Sequence, residues 1–188
     1  MKTNFDPQKH HRHSIRLKGY DYSAAGGYFV TVVTFQRECL FGEIVGGEMR
    51  LSALGEIVRD EWFKTAALRR YVELREDEFV VMPNHAHGII WIMDDSVGAR
   101  RRRAPTEERF GKPVIGSIPT IVRAFKSAVT YRANRELNSA NIWQRNYYEH
   151  IIRGQSDYER IANYIAANPM KWDVDEENPS HPPVIGIK

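Results

Sequence analysis

A single cysteine, Cys39, in 188 residues leaves no partner for an internal disulfide and no set of thiolates for a zinc site. No apolar run approaches the roughly 18 residues needed to cross a bilayer. The first residues, MKTNFDPQKHHRHSIRLKG, are polar and basic, with no apolar block that would make a secretory leader. A glycine-rich phosphate loop of the Walker type is also missing, which disfavours ATP or GTP hydrolysis and a nucleotide cofactor; so is the HExxH of a zinc hydrolase. The expectation is a cytoplasmic protein with no membrane partner.

What is present suits a folded domain. Hydrophobic residues make up 42 % of the chain, enough for a core, and its mass of 21.8 kDa fits one domain with appended segments. The net charge is only +3, but it is unevenly spread. Between Arg100 and Arg135 there are ten Lys or Arg residues against two acids, Glu107 and Glu108, whereas DVDEEN at 173–178 reverses the balance. A local basic field suits a polyanion; a solvated, basic-decorated loop is the other reading.

Periodicity places the elements. GGYFVTVVTF at 26–35 is β-branched and aromatic, a strand, and Gly46-Gly47 between two short candidate strands signals a hairpin. Ser52 can cap a helix whose buried face carries Leu54, Ile57, Val58, Trp62 and Phe63. Residues 71–93 read as two strands around a charged turn at Glu76–Glu78, and 94–116 as a basic mobile loop. Ile121, Val122, Phe125 and Val129, with Tyr131 a further candidate, mark a second helix over 117–136. NYYEHII at 146–152 reads as a strand. A final helix has Tyr158, Ile161, Ala162 and Ile165 on its stripe, a capping box at Ser156–Glu159, and a stop at Asn168-Pro169. The predicted fold is α+β, a mainly antiparallel sheet with helices packed on one face. A basic polar arm over 1–18 precedes the domain at 19–172, and an acidic, flexible tail over 173–188 follows it.

The chemistry concentrates in VVMPNHAHGIIWIM, 80–93. Side chains two apart on a strand share a face, so His85 and His87 could converge on one divalent ion, with Ala86 and Gly88 opposite. Two strand histidines can equally be exposed or satisfied by side-chain hydrogen bonds. A third ligand is available on the final helix. Asn168 offers a neutral oxygen compatible with Mg²⁺ or Mn²⁺, and Tyr164 lies one turn before it, its hydroxyl near a bound phosphate. The ordinary alternative is that Tyr164 covers the core edge while Asn168 ends the helix. His10, His11 and His13 lie in the polar arm and could hold metal only adventitiously.

Six segments taken together resemble the REP-associated tyrosine transposases, single-tyrosine enzymes of the HUH class of the IS200-like type. They are SIRLKGYDYS with GGYFVTVVTF, VVMPNHAHGIIWI, IVRAFKSAVTYRAN, IWQRNYYEHIIR and DYERIANYIAANPMKW, in order over 14–172. The resemblance implies a ferredoxin-like sandwich, a metal held by His85, His87 and Asn168, and Tyr164 as the nucleophile, with Tyr147, Tyr148 and Tyr158 as nearby rivals. It also implies cleavage and rejoining of single-stranded DNA at hairpins or palindromic repeats through a 5′-phosphotyrosine, by a monomer or a homodimer.

DNA contacts are expected from Arg100, Arg101, Arg102, Arg103, Arg123, Lys126, Arg145 and Arg153, and base stacking from Trp143, Tyr147 or Tyr148. Core packing or ordinary ion pairs would also account for several of these. Two other functions fit the same fold: a non-catalytic nucleic-acid-binding protein, and a replication-initiator-type nickase.

Overall fold

The structure is a computed structural model that describes residues 17, 19–94 and 114–180. The basic arm, most of the 94–116 loop including Arg100–Arg103, and the last eight residues lie outside the described residues.

Strand β1 (Gly26–Val33) runs through the centre of an antiparallel sheet. Its Val and aromatic content suits that place, since both faces are covered and seven of its eight residues are buried. On one side it pairs with β6 (His85–Ile92), from Gly26↔Ile92 to Val33↔His85; on the other it pairs with β7 (Tyr148–Ile151). The outer edge of β6 is taken by two short strands end to end, β4 (Val72–Glu73) and β5 (Phe79–Val81). The resulting order, β7-β1-β6-β4/β5, is that of a ferredoxin-like sandwich. The charged segment Glu76–Glu78 therefore interrupts an edge strand rather than joining two paired ones. The real reversal is at Met82–Asn84, where Met82 N–H donates to the His85 carbonyl (2.8 Å).

Helices α1 (Ala53–Leu68) and α2 (Ile118–Leu137) cover one face of the sheet. Ser52 caps α1 by accepting from Gly55 N–H at 3.1 Å. Leu54, Ile57, Val58 and Trp62 are buried, while Tyr131 falls outside the α2 stripe at 65 % exposure. Gly88 is required by this packing: a Cβ there would lie 2.4 Å from the Trp62 ring. β2 (Gly42–Val45) and β3 (Glu48–Leu51) form a separate hairpin, with Gly46 and Gly47 both left-handed as a two-residue turn demands.

Helix α3 (Gln155–Ala167) crosses the opposite face of the sheet, where Ile161 and Ile165 pack on Phe29 and Ile89. Its start differs from the expected capping box. Gly154 is the cap, and Asp157 reaches back to accept from Arg153 N–H (2.9 Å). Its end is at the expected Asn168-Pro169 stop: the α-helix finishes at Ala167 with Asn168 as its cap, and Pro169, pre-set in φ, opens a separate 3-10 turn over Pro169–Val174. Among the described residues no helix is long and apolar enough to cross a membrane.

Candidate active site

The pleat of β6 divides its side chains. Ala86, Ile90 and Ile92 join the core under α1 and α2, while His85, His87, Ile89 and Trp91 face α3. The two imidazoles are thereby brought side by side, with ring centroids 4.5 Å apart, and both are buried.

Each ring is held by a different partner. Asn84 Nδ2 donates to the carbonyls of Arg37 (3.0 Å) and Glu177 (2.6 Å), so its Oδ1 is left as acceptor only. That oxygen lies 2.8 Å from His85 Nδ1, which must therefore carry the proton, and the Nε2 lone pair is free. His87 Nδ1 is 2.8 Å from the Thr31 hydroxyl, and its ring stacks on Phe29 at 5.4 Å. Burial pushes the His85 pKa down to about 4, with Asp175 and Asn168 opposing the fall. Burial, reinforced by His85, holds His87 well below the ordinary histidine range. Both rings are neutral near pH 7, the state in which imidazole can act as a ligand.

Tyr164 projects from the side of α3 beside the Ile161–Ile165 contact. Its hydroxyl lies 3.1 Å from His87 Nε2, and its ring is edge-on to Phe29 (6.1 Å, 85°). When the His87 proton sits on Nδ1, toward Thr31, the phenol donates to Nε2; in the other tautomer Nε2–H donates to the phenol oxygen. Its pKa is raised, first by burial and then by Asp175, with smaller contributions from Glu177 and Glu176 and an opposing one from Asn168. Among the described residues, none of the rival tyrosines has its hydroxyl hydrogen-bonded to a site histidine, as Tyr164 does. Tyr158 donates to Glu78 (2.8 Å), Tyr148 lies on the edge strand against Phe29, and Tyr147 packs with the main core.

Asn168, one turn beyond Tyr164, is 2 % exposed, and its Oδ1 is buried with no hydrogen-bond partner. His85 Nε2 is buried and unpartnered in the same way. Two such atoms, an imidazole lone pair and an amide oxygen, would each cost free energy unless something satisfies them. A third donor type is present that the sequence did not single out: ligand atoms of His85, His87 and Asp175 all lie within 4.8 Å of one another. Imidazole, amide and carboxylate together make a donor set suited to a hard or borderline divalent cation, so the residues fit a metal ion.

Asp175 arrives there because residues beyond the 3-10 turn fold back over the site. Arg37 pairs with Glu177 (3.0 Å) and donates to the Glu176 carbonyl (3.0 Å), and Asn178 Nδ2 donates to the Trp172 carbonyl (2.9 Å). Gln36 and Arg37 are both left-handed, an uncommon state for side-chain-bearing residues, and the bend aims the Arg37 carbonyl at Asn84. The only sequence signals for these positions are the Asn directly before His85 and the acid run at 173–177.

The expected DNA contacts are scattered. Arg123 is exposed on α2, on the face of the sheet away from the histidines. Lys126 donates to the carbonyls of Gln144 and Asn146 and lies over the Trp143 ring, and burial lowers its pKa to about 8. Trp143 is core, packed on Phe41 and Phe125. Arg145 and Arg153 are exposed on either side of β7. Tyr148, opposite Thr31 and 51 % exposed, shares the face of the histidines.

Comparison with known proteins adds relatives to this geometry. No family model matches the chain. It is 41 % identical over 181 residues to an uncharacterised protein of Haemophilus influenzae, covering 94 % of this chain and 98 % of that one. It is 26 % identical over 152 residues to a second protein of the same organism named as a REP-associated tyrosine transposase, covering 80 % and 74 %. Among solved structures, a REP-associated tyrosine transposase bound to a REP hairpin matches with a TM-score of 0.53 at 22 % identity, over 86 % of this chain and 73 % of that one.

Proposed function

We propose that the chain is a member of the REP-associated tyrosine transposases, a reading supported by its 26 % identical relative and by its fold, and that it is a divalent-cation-dependent single-stranded DNA endonuclease and strand transferase acting at hairpin or palindromic repeats. The observation that carries this reading is the 3.1 Å approach of the Tyr164 hydroxyl to His87 Nε2, beside two buried unpartnered ligand atoms.

His85, His87 and Asn168 would hold Mg²⁺ or Mn²⁺, with the Asp175 carboxylate beside them; the chemistry such an ion supplies is withdrawal of charge from a non-bridging phosphate oxygen. His87 Nε2 cannot serve an ion and the phenol with one lone pair. A His87 that held the ion would no longer accept from the phenol, and the Tyr164 hydroxyl would then be free to face the phosphate. Tyr164 Oη then forms a bond to phosphorus while the bond to the upstream 3′-oxygen breaks, giving a 5′-phosphotyrosine and a free 3′-hydroxyl. One phosphodiester replaces another of similar energy, so the strand can be resealed or transferred without a nucleotide cofactor. Thr31 and Asn84 hold the two imidazoles in the required orientation.

The polyanion is met by scattered cations. Arg100–Arg103, Arg123, Arg145 and Arg153 would contact the phosphate backbone, supplying affinity and salt dependence rather than base identity. Lys126 serves chiefly to hold the 144–146 carbonyls. Tyr148 offers an exposed ring on the reacting face for a base to stack on.

The test is a labelled hairpin oligonucleotide incubated with the protein and Mn²⁺ or Mg²⁺. The expected products are a nicked strand and a covalent protein–DNA band. Tyr164→Phe removes both while hairpin binding persists, and His85→Ala or His87→Ala removes cleavage and lowers Mn²⁺ affinity by titration calorimetry. An adduct that survives in Tyr164→Phe would assign the chemistry to another residue. Hairpin binding without any adduct would mean a binding protein.

A further inference from the structure

Glu78 is a carboxylate at 1 % exposure on the interrupted sheet edge, seven residues before His85 in the chain and joined to both halves of the site. Its oxygens accept from three elements: Arg75 (3.1 Å) in its own turn, Trp91 Nε1 (2.6 Å) on the histidine strand, and the Tyr158 hydroxyl (2.8 Å) on the tyrosine helix. The cluster is closed by aromatic contacts. Arg75 lies over the Trp91 ring at 5.0 Å, and Trp91 and Tyr158 pack at 5.8 Å.

Trp91 shares its face of β6 with His87, about 13 Å along the strand. Tyr158 precedes Tyr164 by six residues, about 9 Å along the helix. Between these ends the helix rests on the sheet through Ile161, Ile165, Ile89 and Phe29. An apolar contact of that kind is non-directional and resists sliding weakly. Hydrogen bonds to one buried carboxylate resist it strongly, because a shift leaves charge and donors unsatisfied. The other polar tie at this end, Asp157 with His150 (2.8 Å) and Arg153 N–H, fastens the helix to β7 and not to the histidine strand.

We infer that Glu78 is a positioning residue that sets the register of the tyrosine helix on the histidine strand, and so determines where the Tyr164 hydroxyl falls relative to His87. This rests on the reading of Tyr164 as nucleophile for its kinetic consequence, but not for its structural one. A misplacement of about 1 Å can lower the rate of an aligned attack about 100-fold.

The experiment uses the full chain with Glu78→Gln, Tyr158→Phe and the double variant. Two quantities are measured on each: amide hydrogen exchange along α3 compared with β1 and β6, and the single-turnover rate of adduct formation alongside hairpin affinity. The expected result is faster exchange confined to 158–167 and an adduct rate lowered about 10- to 100-fold, with hairpin Kd unchanged. The double variant should be no slower than the worse single one. Wild-type exchange on α3 in both single variants overturns the inference, and so does loss of protection throughout the sheet, which would make Glu78 a general stability residue. If wild type forms no adduct, the enzymatic reading fails, while the exchange comparison still decides the role of Glu78.

Discussion

Asn84 and His85 are neighbours in the chain whose side chains also hydrogen-bond to each other, His85 Nδ1–H donating to Asn84 Oδ1 over 2.8 Å. Because Asn84 spends both of its own protons on the Arg37 and Glu177 carbonyls, it can only accept from the ring. One amide thus chooses the tautomer of the imidazole, presents Nε2 to the site, and ties down the strap that carries Asp175. Asn84→Ala should lower Mn²⁺ affinity about 10- to 100-fold, the usual cost of losing a partner that orients a ligand. Titration calorimetry checks this; an unchanged affinity would mean the ring is oriented by packing alone.

Asp175 is expected to act on both the ion and the phenol. Asp175→Asn removes a negative neighbour of Tyr164, so the phenolate becomes easier to form and the raised pKa falls back toward its ordinary value. The same change removes a carboxylate from the group formed with His85 and His87, so Mn²⁺ binding weakens. An ultraviolet pH titration of Asp175→Asn and wild type, each against its Tyr164→Phe counterpart, reads the first effect, and calorimetry reads the second. Tighter Mn²⁺ binding in the variant would show that the carboxylate blocks the ligands instead of joining them.

Stability of the chelator-treated protein should depend on pH in a definite window. An unfolded histidine titrates near 6.5, whereas burial holds folded His85 down at about 4 and His87 well below its ordinary range. Between those values the unfolded chain binds protons that the folded chain refuses, so stability falls as pH drops from about 6.5 toward 4 and levels off above that range. Urea unfolding midpoints across the window measure this. Midpoints that hold constant would mean the rings take up protons in the folded state.

Tyr148→Ala should weaken single-stranded DNA binding by about 1–3 kcal/mol, the range found for one lost base–aromatic stack, with little change in melting temperature, because the ring is half exposed on an edge strand. Trp143→Ala should do the reverse, destabilising the fold through its contacts with Phe41 and Phe125. Fluorescence anisotropy and thermal melts on the pair separate the two roles. Equal DNA affinities for wild type and Tyr148→Ala would remove the stacking assignment.

Much of this was legible from local pattern. The β-branched run of β1, the Gly46-Gly47 turn, the Ser52 cap and the stripes of the three helices follow from nearest-neighbour preferences and periodicity, and they appear where those rules put them. Where local signals competed, the sequence was a poorer guide. The capping box at Ser156 lost to Gly154 with Asp157 reaching back, and the 3-10 turn that follows the expected stop at Asn168-Pro169 had no signal of its own.

By itself, the chain determined that His85 and His87 share a face, since the alternation of a strand is a property of its own backbone, and that Tyr164 and Asn168 lie one turn apart on a helix. Only the tertiary structure decided that these two faces meet. The sheet order puts the histidine strand at the centre, α3 crosses on the side away from the other two helices, and the strap beyond Asn168 returns Asp175 to the imidazoles. Contacts such as Tyr164 with His87, 77 positions apart, depend on closing long loops around a shared core. No local preference encodes that closure; it follows from burying two apolar faces of one sheet at once.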